Sequence, residues 1–248
     1  MRIRIDLNAD VGEGMDDAAL FPFITSANVA CGMHAGSPAA MDRTVALALQ
    51  RGVRVGAHPG YADRENFGRT EVALPDDELR ALVLYQVAAL DGIVRARGGV
   101  MSHVKAHGAL YNRAARDGRL ARCMAEAVRA FRSDLLLVGL AGSVQLEAAR
   151  AVGLRAAGEA FADRRYLSDG SLMPRSQPGA ILHDPAEAAE QALHIVRDHY
   201  AIASNGSRIA IDAQTLCLHG DTLGAAVIAR AVREKLESAG LSVSPLAG

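Results

Sequence analysis

A single α/β domain over residues 1–248, with about seven parallel strands inside and helices outside, is the fold this sequence predicts. Three observations carry it. Short apolar strand-like runs alternate with amphipathic helical stretches along the chain. The apolar half of the composition is mostly Ala, Val and Leu, with no Trp, which suits helix-on-strand layers. Strand after strand ends in Asp, His or Lys, as expected when strand ends converge on one site of a TIM-like barrel.

The elements follow in order. Arg2-Ile3-Arg4-Ile5-Asp6-Leu7-Asn8 alternates faces, with Ile3, Ile5 and Leu7 on one side and Asp6 and Asn8 on the other. Asp16 to Phe21 reads as a short helix and Ile24 to Cys31 as the second strand. Ser37-Pro38 supplies a cap and a first-turn proline for a helix that runs to Gly52. Val53 to Ala57 is the third strand, followed by a long Gly-rich, charged loop over Gly60 to Ala73. The helix from Pro75 to about Arg97 carries Leu79, Leu82, Val83, Val87, Leu90 and Val94 as one stripe. Strand four lies around His103 to Ala106, a helix covers Leu120 to Phe131, and strand five is Leu135 to Leu140. Ser143 to Ala151 is helical, Leu154 to Ala160 is strand six, and Asp163 to Gly179 is a second polar loop. Pro185 to Tyr200 is a helix, Thr215 to His219 the last parallel strand, and Thr222 to Ala239 the closing helix.

Net charge is near zero, with no Lys/Arg block, so neither nucleic acid nor an anionic membrane surface is an expected partner. Cys31, Cys123 and Cys217 are widely spaced, without C-x-x-C, and suit a reduced, cytoplasmic setting. No secretory leader is visible at the start, and no apolar run approaches the ~20 residues that span a bilayer.

The chemistry-bearing groups sit at strand ends. Asp6, Asn8 and Asp10 point to a barrel mouth, where they could hold a cation, a base or a substrate amide. Ser26 to Gly36 combines small residues with His34 ahead of a helix start, a place for an anion. Gly56-Ala57-His58-Pro59-Gly60 brings a second histidine, and Phe67-Gly68-Arg69 a guanidinium for a carboxylate or phosphate. His103, Lys105 and His107 share one strand parity, and a lysine turned inward must be paired or used. Asn112 follows closely. Glu159, Asp163, Arg164 and Arg175 cluster after strand six, and His219-Gly220-Asp221 ends the last strand, with Asp221 a candidate helix cap. No G-x-x-x-x-G-K-[ST], H-E-x-x-H or G-x-S-x-G is present, so carboxylate, histidine and lysine chemistry is favoured over a serine or cysteine nucleophile.

Together these stretches resemble the family of 5-oxoprolinase A-type subunits, also called the LamB/YcsF family. The matching segments are Asp6 to Glu13, Ser26 to Gly36, Gly56 to Gly60 with Phe67-Gly68-Arg69, Lys105 to Asn112, Glu159 to Arg164 and His219-Gly220-Asp221, in the expected order. The departures are a shortened stretch over 14–23, Ala106 in place of an expected proline, and Ser37 in place of an aspartate.

The resemblance implies a seven-stranded β/α barrel of the glycoside hydrolase/deacetylase type. It also implies ATP-dependent opening of the lactam 5-oxoproline to L-glutamate, in a complex with two further subunits of B and C type. ATP would be used with those subunits, since this chain has no ATP motif. Asp10, His58 and His107 are then candidate bases and Lys105 a stabiliser of oxygen charge. Asp6, Asn8, His34, Arg69, Asn112, Glu159, Arg164, Arg175 and His219 are candidate substrate contacts, with an arginine on the substrate carboxylate. Two alternatives stand beside this. One is a metal-dependent, deacetylase-like amide hydrolase using Asp10, His34 and His58; the other is a non-catalytic lactam-binding subunit.

Overall fold

The strands form in the predicted order and close on themselves. The computed structural model describes residues 3–220 and 224–246. The first half contains β1 (Arg4–Val11), β2 (Ser26–Ala30), α1 (Pro38–Gln50), β3 (Arg54–His58), α2 (Asp76–Ala96) and β4 (Met101–Lys105). Next come α3 (Gly108–Ala114), α4 (Gly118–Phe131), β5 (Leu136–Leu140), α5 (Val144–Ala151) and β6 (Arg155–Phe161). The chain ends with α6 (Pro185–Asp198), β7 (Tyr200–Ile202), β8 (Arg208–Ala210), β9 (Thr215–His219), α7 (Ala225–Ser238) and β10 (Ser242–Val243). Strands β1 to β6 pair in parallel in sequence order, and β9 pairs with both β6 and β1. A closed seven-strand parallel barrel results.

Local sequence explains the main boundaries. Ser37 accepts from the Ala40 amide at 3.2 Å and Pro38 opens α1, so the cap and first-turn proline act together. On α2, Leu79, Val83, Leu90 and Val94 are buried along one stripe. Gln86 is buried on the same stripe because its amide pairs with both Gly60 N–H and Gly60 C=O, at 3.0 and 2.9 Å. That bond anchors the turn just beyond His58.

Several expectations change. Asp16 to Phe21 forms only a 3-10 turn at Asp17–Ala19, held where Asp17 accepts from the Gly12 amide. Helix α3 was not expected, since seven residues from Gly108 give too short a period to read. The predicted helix to Tyr200 ends at Asp198, where His199 turns left-handed and β7 pairs antiparallel with β8. Arg2, Asp221 as a helix cap and a helix start at Thr222 lie outside the described residues.

At the N-terminal end of the barrel, β10 adds to β1, pairing Arg4 with Ser242 and Ile5 with Val243. Leu246 then packs on Leu136, Val138 and Ala157. Among the described residues, no helix is long and apolar enough to cross a membrane.

Candidate active site

Strand parity sends Asp6, Asn8 and Asp10 of β1 to the same side, and they stack at three heights. Asp6 is lowest. It accepts from the hydroxyls of Thr25, Ser26 and Thr215, and burial raises its carboxyl above the ordinary value. Asn8 lies above, donating to Thr215 and to Glu159 at 2.7 and 2.9 Å. Its carbonyl oxygen accepts from Asn28, which also donates to Asp10 at 2.8 Å.

Lys105, at the end of β4, is 2% exposed. Its ammonium reaches Asp10 at 2.8 Å, Glu159 at 3.0 Å and the Cys217 sulfur at 3.0 Å. Burial would strip its proton, but Asp10 and Glu159 prevail and hold Lys105 well above the usual lysine range. Burial likewise opposes Asp10, yet the His58 and Lys105 charges keep its carboxyl well below the usual value. Asp10 is therefore ionised and weakly basic.

Beside this pair, three histidines surround Glu13, which follows β1. The Glu13 carboxylate lies 3.1 Å from His34 Nε2, 3.2 Å from His107 Nδ1 and 3.8 Å from His58 Nε2. The rings of His34 and His107 stack at 3.8 Å between centroids. His58 Nδ1 faces the Lys105 carbonyl at 2.8 Å, and His107 Nε2 faces the Phe67 carbonyl at 2.8 Å. Phe67 and Gly68 both adopt left-handed backbone, which presents that carbonyl to His107. A Cβ on Gly68 would meet His34 at 2.7 Å. Burial pushes His34 down to about 4, whereas Asp10 lifts His58 above its ordinary value despite burial. His34 Nδ1 is buried without a hydrogen-bond partner.

Above these groups opens a cavity of about 400 Å³. Asp10, Lys105, Phe161 and His219 line it together with Arg69, Arg164 and Arg175. Arg164 is buried and donates to the Met173 carbonyl at 2.7 Å. Burial and the neighbouring Arg175 charge lower it to about 10. Two guanidiniums so disposed favour an anion between them. Arg69 lies over the Phe67 ring at 4.9 Å. Opposite, His219 is held by Asp163, which accepts from its backbone N–H at 3.0 Å and from Nδ1 at 2.9 Å. Because Nδ1 donates, Nε2 carries the lone pair in the neutral ring. The His219 ring lies flat on Phe161.

Of the residues expected at the site, Asp10, His58, Lys105, His107, Arg69, Asn112, Arg164, Arg175 and His219 line the cavity. Asp6, Asn8, Glu159 and His34 do not. Asp6 is a correction: it lies two steps below Asp10, closing the hydroxyl layer, because side chains of one parity descend the strand rather than share a height. Asn8 and Glu159 form the layer beneath Lys105, and His34 faces Glu13. At the expected anion site before α1, the Gly32 amide is taken by the Ala35 carbonyl and the Ala40 amide by the Ser37 hydroxyl. Glu13, Tyr111, Phe161 and Cys217 were not anticipated as site residues. Strand parity with Glu159 and His219 could have flagged Phe161 and Cys217; Glu13 lies past a glycine turn, where periodicity carries no information.

A search against protein families matches residues 5–248 to the LamB/YcsF family. Among curated proteins, the A-type subunit of 5-oxoprolinase from Methylococcus capsulatus is 51% identical, the match covering 98% of this chain and 96% of the relative. The protein of the same name from Bordetella pertussis is 49% identical, with 98% and 99% covered. Among solved structures, the lactam utilization protein from Thermus thermophilus superposes with a TM-score of 0.92 at 48% identity, covering 98% of this chain and all of that one.

Proposed function

The chain belongs to the LamB/YcsF family, and from that premise we propose that it is the lactam-opening component of an ATP-dependent 5-oxoprolinase, acting with B- and C-type subunits. The observation that carries the reading is one cavity lined both by guanidiniums and by a Lys105–Asp10 pair with an Asp163-held histidine. About 400 Å³ suits a small ring with one carboxylate.

A five-membered lactam carbonyl is a poor electrophile. Phosphorylation of its oxygen by ATP, on the partner subunits, would activate the carbon. Arg164 and Arg175 then hold the substrate carboxylate. His219 Nε2 takes a proton from water as it adds to the ring carbon, while Asp163 stabilises the imidazolium that forms. Lys105 faces the charge that develops on oxygen. The C–N bond breaks as His219 returns the proton to nitrogen and the added hydroxyl gives up its own to solvent beside Lys105, becoming the carbonyl of an acyl phosphate that a second water hydrolyses to glutamate and phosphate. Asp10 is poorly suited to the base role because it is held ionised by Lys105 and His58. His107 turns its inner nitrogen to Glu13 and His58, and His58 turns its own to His107 and Asp10.

The test is glutamate release from 5-oxoproline and ATP by the reconstituted complex. His219→Asn is expected to lower turnover about 100- to 10,000-fold with assembly intact. Near-normal turnover removes His219 as the base, and no release by the assembled wild-type complex removes the substrate.

A further inference from the structure

We propose that Glu13, His34, His58 and His107 bind one divalent transition-metal ion of the zinc class. The inference deepens the lactam reading, placing an ion at the edge of the same cavity, but its test does not depend on that reading.

The first support is the direction of the lone pairs. A carbonyl oxygen only accepts, so His58 Nδ1 and His107 Nε2 must both carry hydrogens. With the outer nitrogens holding those hydrogens, the inner nitrogens, His58 Nε2 and His107 Nδ1, are the two positions left for a shared proton or a metal ion. They face each other at 3.0 Å. One proton held between them satisfies the pair, and a metal ion that displaces this proton is bound by both lone pairs at once. The outer carbonyl contacts are also what a metal-bound histidine needs, since they fix its tautomer and orientation.

The second support is spacing. Ligands 2.0–2.1 Å from a tetrahedral ion lie about 3.3–3.4 Å apart along each edge. Four of the edges here are 3.0, 3.1, 3.2 and 3.8 Å, with all four donor atoms within 4.8 Å of one another. All four donor atoms thus lie within reach of one coordination sphere.

The third is charge. Around the barrel mouth the carboxylates of Asp10, Glu13, Glu159 and Asp163 are largely removed from solvent, against two permanent cations with comparable burial, Lys105 and Arg164. A divalent ion would offset the excess.

Three imidazoles and one carboxylate select a first-row transition ion over magnesium or calcium, which prefer oxygen. Asp10, expected from the sequence as a ligand with His34 and His58, gives one carboxylate oxygen to Lys105 and Asn28 and turns the other to His58 Nε2 at 3.3 Å, but reaches neither His34 nor His107 closely enough to be grouped with them. Glu13 is the carboxylate that all three histidines face.

The experiment uses the purified full chain, stripped with a chelator and titrated with zinc or cobalt(II) in the absence of lactam and ATP. Expected are about one ion per chain, the strong visible absorption of tetrahedral cobalt(II), and a raised Tm. Glu13→Gln and His34→Ala should each weaken uptake by more than about 100-fold, beyond the range typical of outer-shell partners. His194→Ala, on the outer helix α6, should leave it unchanged. The proposal is overturned if the folded wild-type chain takes up no ion, or if uptake is indifferent to both ligand variants. It is also overturned if nitrogen NMR shows a proton still bridging His58 and His107 in excess zinc. A 5-oxoprolinase assay that fails while zinc is bound would remove the lactam reading and leave the metal site standing.

Discussion

His103 is held neutral by burial next to positive charge. Asn28 turns its amide nitrogen to Asp10, so its carbonyl oxygen accepts from His103 Nε2 at 2.8 Å. Nδ1 lies 2.8 Å from the Ser102 hydroxyl. Burial, then the Lys105 and His58 charges, push His103 down to about 3, with Asp10 opposing weakly. In the unfolded chain the same group titrates near 6.5. Between these values the unfolded state binds more protons, so stability falls as pH falls below about 6.5, by up to about 1.4 kcal/mol per unit from this residue. Replacing it by glutamine, His103→Gln, should flatten that slope. By pH 5 the wild type is expected to have lost about 2 kcal/mol more than the variant, measured by urea unfolding at pH 7, 6 and 5. Parallel curves would show that His103 is not buried as a neutral ring.

At the scale of elements, the junction of β3 and β4 depends on one missing side chain. The register shifts between Val55 and Gly56, and the His103 ring lies across Gly56. A Cβ there would sit 2.2 Å from ring atoms, closer than any real contact. Gly56→Ala should therefore destabilise the protein by about 1–3 kcal/mol. Adding His103→Ser should recover part of the loss, giving a favourable coupling in a double-mutant cycle by chemical denaturation. Additive losses would place the strain elsewhere. Elements with strong local signals were legible: the stripe of α2, the Ser37-Pro38 start of α1, the apolar run of β9. Helix α3, the β7–β8 hairpin and β10 were not, because segments of two to seven residues form through what they dock on.

For the whole molecule, the N-terminal end of the barrel is closed by the other end of the chain. Ser242 N–H donates to Ile3 C=O and Ser244 N–H to Ile5 C=O, both at 2.9 Å, and Leu246 covers Leu136, Val138 and Ala157. The Leu246 amide also serves the buried Asp6 carboxylate. Ending the chain after Leu241 removes an apolar plug and a donor to a buried acid. A loss of about 2–4 kcal/mol is expected in a denaturation midpoint, with the far-UV spectrum retained. An unchanged midpoint would mean that the barrel closes without its tail.

Sequence alone determined the class of this protein: alternation of strands and helices specified a parallel barrel, and polar strand ends specified where chemistry would gather. Those signals are local, written in the period and the last residue of each segment. Depth and direction were decided only by the tertiary structure. Asp6, Asn8 and Asp10 look equivalent along β1, yet closure of the barrel makes Asp6 part of the hydroxyl layer, Asn8 a bridge, and Asp10 the partner of Lys105. Glu13 likewise gains its place from three histidines that lie 21, 45 and 94 residues further along the chain. Distances of that kind are set by how strands pair and close, and no local pattern encodes them.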